Sequence, residues 1–391
     1  MPMRVVVTAD KGIRRPSVLT VLALAGALAV LGGGSANAGS QAANGRIAYV
    51  SDAACRFDPT LKNEDIFSMA PDGSGKADLT RSPNPDGSPA WSTDGTRVAF
   101  VRPGKSNNDD VFVMSSNGKT QRNVTKTAPD DADPDWAPDG KITFDVSGTQ
   151  IFQVNPDGTG MARLLPGGYE GAWSPSGLQI AYTQTVEPSN SEIFVANRDG
   201  SGAHNLTNAP GYDDDSAVWS PDGTRIAFTR YFGGAGEIFV MNADGSGQTN
   251  LTNDASNDGD PTWSPDGMKI AFTTNRGPTG DSEVFVMKAD GSNQVDLTNS
   301  PANESDPDWQ PIAGAPPVAP GPDRLCRVPN LLGQELGSAR TKVRQAGCVS
   351  GTVKYARSKR PRGRVVRQTP RKGLRLCFGV RVNVVVSRGL R

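Results

Sequence analysis

The chain has 391 residues, with 41 Lys and Arg against 41 Asp and Glu, a single histidine and four cysteines. One histidine excludes a metal site built from a histidine pair and leaves His204 as the sole imidazole for a Ser-His-Asp triad. There is also no phosphate-binding Gly-rich loop, no dinucleotide fingerprint and no G-x-S-x-G elbow, so nucleotide chemistry and α/β-hydrolase catalysis lack their sequence basis.

Residues 1–38 read as an export signal. Arg14 and Arg15 precede the apolar stretch Val18 to Leu31, and Ala36-Asn37-Ala38 supplies small residues for cleavage. That stretch is short of the roughly 20 residues that a membrane span needs. Pro16 after the arginine pair favours general secretion over the twin-arginine route, and no cysteine follows the cleavage site to take a lipid. The expected mature protein is secreted, periplasmic or cell-wall associated, with no stable membrane span.

From residue 39 to 312 the chain is a repeat. All six tryptophans, Trp91, Trp136, Trp173, Trp219, Trp263 and Trp309, sit in near-copies of one motif, typified by P-T-W-S-P-D-G at Trp263. A period of about 45 residues marks one supersecondary unit copied in series. Within the Trp263 copy, Ser264-Pro265-Asp266-Gly267 makes a turn and Lys269 to Thr273 a half-buried strand. Glu283 to Met287 is a third strand, and Asp290-Gly291 turns the chain into Asp296-Leu297-Thr298. Four short strands per unit define a propeller blade. The second strand recurs at Ile47, Val98, Ile142, Ile180, Ile226 and Ile270, and the third at Ile66, Val111, Ile151, Ile193, Ile238 and Val284.

The phase of the array carries further information. It begins at a second strand, Arg46 to Val50, and ends on a Trp309 strand with nothing after it. The expected fold is an all-β six-bladed propeller, closed by the C-terminal Trp309 strand joining the first blade. Closure removes the two sheet edges that a linear array would expose. The W-S-P-D-G, I-A-F, I-F-V-M-N-A-D-G-S and L-T series resembles the TolB-type six-bladed β-propeller repeat. The copy at Trp136 departs most, with Ala137 in place of serine and Lys141 directly after the glycine.

Residues 313–323 form a proline-rich, semi-rigid linker. Beyond it, residues 324–391 read as a small α+β domain. Leu336, Ala339, Val343 and Ala346 recur at helical spacing until Gly347. Val349 to Val353, Arg364 to Val366 and Val380 to Val386 read as strands. V-P-N-L-L-G, A-R-T-K-V-R-Q-A-G, R-V-V-R-Q-T-P-R-K-G and V-N-V-V-V-S-R-G together resemble a single PASTA domain. That resemblance implies a bacterial envelope and a module of a kind in which several members bind peptidoglycan fragments.

The neutral total hides a charge asymmetry. Residues 323–391 hold 18 Lys and Arg against Asp323 and Glu335, a net of +16, while residues 39–322 carry a net of −19. The dense basic run Arg357, Lys359, Arg360, Arg362, Arg364 and Arg367 is the candidate contact for an anionic wall polymer. Nucleic acid is not the expected partner, because the chain is exported and this domain offers only Tyr355 and Phe378 for base stacking. Of the cysteines, Cys326 and Cys348 are the favoured disulfide, which in so small a domain adds roughly 3 kcal/mol. Cys377 competes for either partner or reaches Cys55.

No catalytic set emerges. His204 stands at a surface repeat position, and no metal-ligand pattern is present. Acidic residues do gather before each tryptophan. Asp133, Glu170, Asp260 and Asp306 stand three residues ahead of theirs, and Asp215 lies close by. In a ring such positions form a circle on one face, so they are a candidate rim for a calcium ion or a basic partner. The structural alternative is that they cap turns in every blade. The expected function is therefore a non-catalytic envelope protein, whose propeller binds a protein or ligand and whose basic domain holds peptidoglycan or another anionic wall polymer. As in the partner-binding TolB it resembles, an unidentified envelope protein is the expected propeller partner, in a scaffold or sensor role. The rival is a carboxylate-dependent propeller lyase or glycosidase acting on wall or extracellular glycan. No cofactor is expected beyond that calcium ion.

Overall fold

A computed structural model of the protein describes residues 44–53, 64–104, 108–127, 129–186, 190–277, 280–311, 326–346, 348–372, 375–376 and 381–389. The expected signal segment, the linker at 313–323, Cys55, Cys377 and the side chain of Cys326 lie outside the described residues.

Each tryptophan ends a strand: Gly87–Trp91, Asp131–Trp136, Tyr169–Trp173, Asp213–Trp219, Asp258–Trp263 and Glu304–Trp309. The described residues form six four-stranded antiparallel sheets, each with one of these strands at its edge. In five of them the strands follow in chain order. In the remaining sheet Glu304–Trp309 pairs with Ile47–Ser51, placing Trp309 opposite Ile47 and Glu304 opposite Ser51. The first sheet is thus built from both ends of the repeat array.

Packing between sheets explains why the second strands read as nearly continuous apolar runs. Ile226, Ala227 and Phe228 are all fully buried, because each sheet is covered on both faces. Each apolar cluster of this region joins two sheets. Trp136 packs with Ala99 and Val111 of one sheet and with Phe144 and Val154 of the next. Ile47, Tyr49, Met69 and Trp309 of the first sheet pack with Ala271, Val284 and Val286 of its neighbour in the same manner.

The S-P-D-G turns are fixed by their own side chains. Ser220 Oγ donates to Asp222 Oδ1 at 2.6 Å, while the Arg225 N–H donates to Ser220 Oγ at 3.0 Å. Where Ala137 replaces the serine, the turn closes through backbone bonds from Gly140 N–H to Ala137 O and from Ala137 N–H to Lys141 O, each 2.8 Å. The L-T pairs differ slightly from expectation. The fourth strands are mostly two-residue ladders, such as Val295–Asp296, and Leu-Thr lies just beyond them. Each threonine is nevertheless built in: the Val284 N–H donates to Thr298 Oγ1 at 2.9 Å, and that hydroxyl donates to Glu283. The same arrangement links Ile193 to Thr207 and Ile238 to Thr252.

The C-terminal domain packs the helix Leu336–Gln345 on a three-stranded sheet ordered Val349–Ala356, Arg381–Ser387, Val365–Thr369. The first two strands are parallel and the third is antiparallel to the central one. Val328, Leu331, Ala339, Val343, Val365 and the alternate valines Val382, Val384 and Val386 form its core. Cys348 is buried in that core. A further pairing of Cys326–Arg327 with Arg375–Leu376 was not foreseen from the sequence.

Candidate functional site

The tryptophan-bearing strands are irregular at one equivalent point. The residue three before each tryptophan, namely Ser88, Asp133, Glu170, Ser216, Asp260 or Asp306, has φ between 44° and 53°. Each of these strands also breaks register with its partner at this point, as between Ala132 and Asp135 or between Gly259 and Thr262. A left-handed non-glycine residue costs about 1–2 kcal/mol, and a bulge re-aims its side chain. Here the re-aimed side chains converge. The three residues before each tryptophan, from all six strands, line one cavity of about 220 Å³.

The cavity is acidic. Asp133, Glu170, Asp260 and Asp306 line it at the bulge position, Asp135 and Asp308 line it next to their tryptophans, and no Lys or Arg is among the lining residues. Burial, with Asp215 and Asp133 nearby, pushes the Glu170 carboxyl up to about 8. Asp306 also rises to about 8, through burial first and then the charges of Asp260 and Asp133. Burial raises Asp260 as well. It takes Asp308 to about 7 and Asp135 to about 6, opposed in each case by backbone N–H donors.

Hydrogen bonds divide these carboxylates by role. Asp135 accepts from the Trp173 N–H at 3.0 Å and Asp308 from the Trp91 N–H at 2.5 Å, so each ties its strand to the next. Glu170 Oε2 accepts from Thr183 Oγ1 and from the Ser216 N–H of the adjacent strand, both at 2.9 Å. Asp133 accepts from Ser88 Oγ at 3.1 Å. Five residues before the tryptophans stands another acidic set that serves the fold. Asp86 pairs with Arg102, Asp214 with Arg230 and Asp258 with Arg276, every aspartate side chain being fully buried. The structural reading therefore holds for this set and for Asp135 and Asp308, which bond backbone N–H groups.

One member of the expected rim is displaced. Asp215 does not line the cavity; Ser216 holds the bulge position in that strand. The three consecutive aspartates, Asp213 to Asp215, hid the register from the sequence. The other four, Asp133, Glu170, Asp260 and Asp306, line one open cavity between the strands. Among the described residues, no group of three or more His, Cys, Asp or Glu side chains is disposed to hold a metal ion. His204 is exposed, with Nδ1 2.9 Å from Gly202 O.

The basic run of the C-terminal domain is spread over exposed and paired positions. Arg357, Lys359, Arg360 and Arg362 are exposed. Arg364 pairs with Glu335 at 3.1 Å. Arg367 lines a cavity of about 390 Å³ on the sheet, and there it meets Lys354, which is not a member of that run. Strand alternation was the available signal: Val353 packs inward, so Lys354 faces out.

Comparison with known proteins places both parts. Residues 169–314 match the family model described as TolB beta propeller domain, and residues 327–388 match that of the PASTA domain. Residues 169–314 thus carry TolB-type propeller sequence, and a PASTA domain follows them. Among solved structures, TolB from Acinetobacter baumannii superimposes with a TM-score of 0.60 at 22% identity, covering 68% of this chain and 66% of that one. A protein described as TolB from Agrobacterium tumefaciens gives 0.51 at 21% identity, covering 65% and 89%. Hydrazine synthase from Kuenenia stuttgartiensis gives 0.55 at 13% identity, covering 69% and 47%. At these identities the likeness is one of fold, and the fold is shared with an enzyme. No curated protein matches the chain. Among the described residues, no helix is long and apolar enough to cross a membrane.

Proposed function

We propose that the protein is an exported, non-catalytic binding protein of the bacterial cell envelope. Residues 1–38 direct export, residues 39–312 form a closed six-bladed propeller, residues 313–323 tether it, and residues 324–391 hold an anionic wall polymer, peptidoglycan first. The observation that carries the propeller's role is the acidic cavity lined by equivalent residues of six strands. Such a cavity attracts a cationic ligand, either a basic side chain of an envelope partner or a metal ion such as calcium. The joining of a TolB-type propeller to a PASTA domain supports the envelope setting. The net charge of +16 on the C-terminal domain supports attachment to wall polyanions.

Sedimentation with purified peptidoglycan sacculi tests this reading. Residues 39–391 are expected to pellet with the sacculi and residues 39–312 to stay in solution, with added salt weakening the association. If neither pellets, the wall-binding role fails.

A second reading draws on the same cavity. Two carboxyls held near 8, Glu170 and Asp306, resemble the raised acids of carboxylate-dependent glycan cleavage. Release of soluble sugar from sacculi or acidic glycans by residues 39–312, abolished in Glu170→Gln, would favour that enzyme over the binding protein.

A further inference from the structure

The sheet that holds Trp219 departs from its relatives at one end. Seven residues before that tryptophan stands Tyr212, where the other five copies carry Asn84, Pro129, Pro166, Ser256 and Ala302. Its second strand, Arg225–Phe232, ends on Phe232, where the other second strands end on Ser51, Pro103, Val146, Val186 and Thr274. Five sheets thus form with no aromatic side chain at either place, so the fold does not require these two. Both are left in water, Tyr212 at 42% exposure and Phe232 at 41%, with their ring centroids 4.9 Å apart and the planes inclined at 56°. Paired, exposed aromatic rings that the repeat does not need mark a contact surface.

The rings are held from behind. Phe232 faces Ala235 across the two-residue turn Gly233-Gly234, whose φ values of 64° and 104° suit a tight hairpin. It also stacks on Phe239, with centroids 5.9 Å apart. Arg230, fixed by Asp214, lies over both Tyr212 and Phe239. Little side-chain freedom is left to lose when a ligand arrives. The border of the pair is polar. Asp213 is exposed, and its Oδ1 accepts from the Ser191 N–H at 2.8 Å, which a carboxylate can do while accepting other bonds. On the other flank Asn257 is exposed, its amide oriented by a 2.7 Å bond from the Gly236 N–H to Oδ1.

We infer that Tyr212 and Phe232 form a stacking platform for an uncharged sugar chain. The apolar C–H face of one pyranose ring lies on the two aromatic rings, and its hydroxyl groups meet the polar border. The match is chemical: a sugar is apolar on its face and hydrogen-bonding around its edge, as the platform is. A wholly apolar segment would desolvate Asp213 and Asn257 without pairing them. An anionic polymer is opposed by Asp213 and by the net charge of −19 on residues 39–322. The inference goes beyond the proposed function, because it gives the propeller a second ligand away from the acidic cavity, which neither ring lines.

Isothermal titration of the full chain with tetra-N-acetylchitotetraose, cellotetraose and maltotetraose tests it. At least one of these sugars is expected to bind, with affinity falling about tenfold in Tyr212→Ala and in Phe232→Leu. Phe232→Leu keeps the apolar bulk and removes only the flat face, so it separates stacking from loss of fold, and thermal unfolding of each variant checks that the sheet is intact. Tyr212→Phe keeps the ring and should retain most of the affinity. The control Tyr355→Ala, at an exposed tyrosine of the C-terminal domain, should bind as the parent does. Failure of all three sugars to bind overturns the inference, as does binding that Tyr212→Ala and Phe232→Leu leave unchanged, or an equal loss in the control. A synthetic peptide of residues 313–322, proline-rich and uncharged along its side chains, is the competing probe. Its binding in place of every sugar would give the platform to a peptide and likewise overturn the inference.

Discussion

Gly73 rests against the backbone carbonyl of Leu297, from the far end of the repeat array, so closely that a Cβ on Gly73 would lie 2.5 Å from that oxygen. The same contact recurs between consecutive sheets, as Gly118 on Leu79, Gly245 on Leu206 and Gly291 on Leu251. The glycine of each of these D-G or N-G turns therefore makes a between-sheet joint as well as a turn. Lys76 reinforces the one at Gly73 by donating to Thr298 O.

Gly73→Ala is accordingly expected to be costly. At φ 80° a side chain carries left-handed strain of about 1–2 kcal/mol, and displacing the Leu297 backbone adds about 1–3 kcal/mol. Gly140→Ala is the matched control, because φ is 83° there but nothing lies within 4 Å of the new Cβ. Urea midpoints at equal m-values should therefore fall about twice as far for Gly73→Ala as for Gly140→Ala. Equal shifts would mean that the joint carries no weight.

The buried pair Arg230–Asp214 gives a second expectation. Arg230 donates to both carboxylate oxygens, at 2.7 and 2.8 Å, and also to Gln248 Oε1 at 3.0 Å. Arg230→Met strands a buried carboxylate and is expected to destabilise by about 3–5 kcal/mol. Adding Asp214→Asn should recover much of that loss, because the desolvated charge is then gone. A double-mutant cycle in urea reads the coupling directly.

The cavity carboxyls set a pH dependence with a defined sign. Burial raises Glu170 and Asp306 to about 8, above the ordinary unfolded value near 4. Between those values the folded state holds more protons than the unfolded one, so stability falls as pH rises from about 4 to about 8. Unfolding midpoints should be lower at pH 8.5 than at pH 6, and the double variant Glu170→Gln/Asp306→Asn should flatten the difference. A slope that the variant leaves unchanged would locate the titration elsewhere, for instance at Asp65, which burial also takes to about 8.

The favoured Cys326–Cys348 disulfide is expected to appear as a cross-linked peptide pair in a non-reducing digest. Its reduction should lower the stability of the C-terminal domain by about 3 kcal/mol. A Cys326–Cys377 or Cys348–Cys377 peptide in its place would assign the staple differently.

Strand positions were legible because they depend on local alternation. Ile226 to Phe228 and Val382 to Val386 announce their burial in their own residues. The equivalence of Asp133, Glu170, Asp260 and Asp306 was legible as a count back from each tryptophan. What escaped were pairings set by register. Asp86, Asp214 and Asp258 pair with Arg102, Arg230 and Arg276 across the hairpin, and no local pattern marks those partners. Lys354 and Arg367 come together only through the irregularity after Val365, which no sequence pattern signals.

The pairing of Ile47–Ser51 with Glu304–Trp309 also bears on how the chain is made. The first sheet to leave the ribosome lacks its edge strand until nearly the whole array has been synthesised. Until then Ile47 to Val50, apolar along its length, faces water along an open edge. A message truncated ahead of residue 304 would yield a product with no partner for that edge, open to proteases and to other chains. That edge is covered only once the strand ending at the sixth tryptophan has been made.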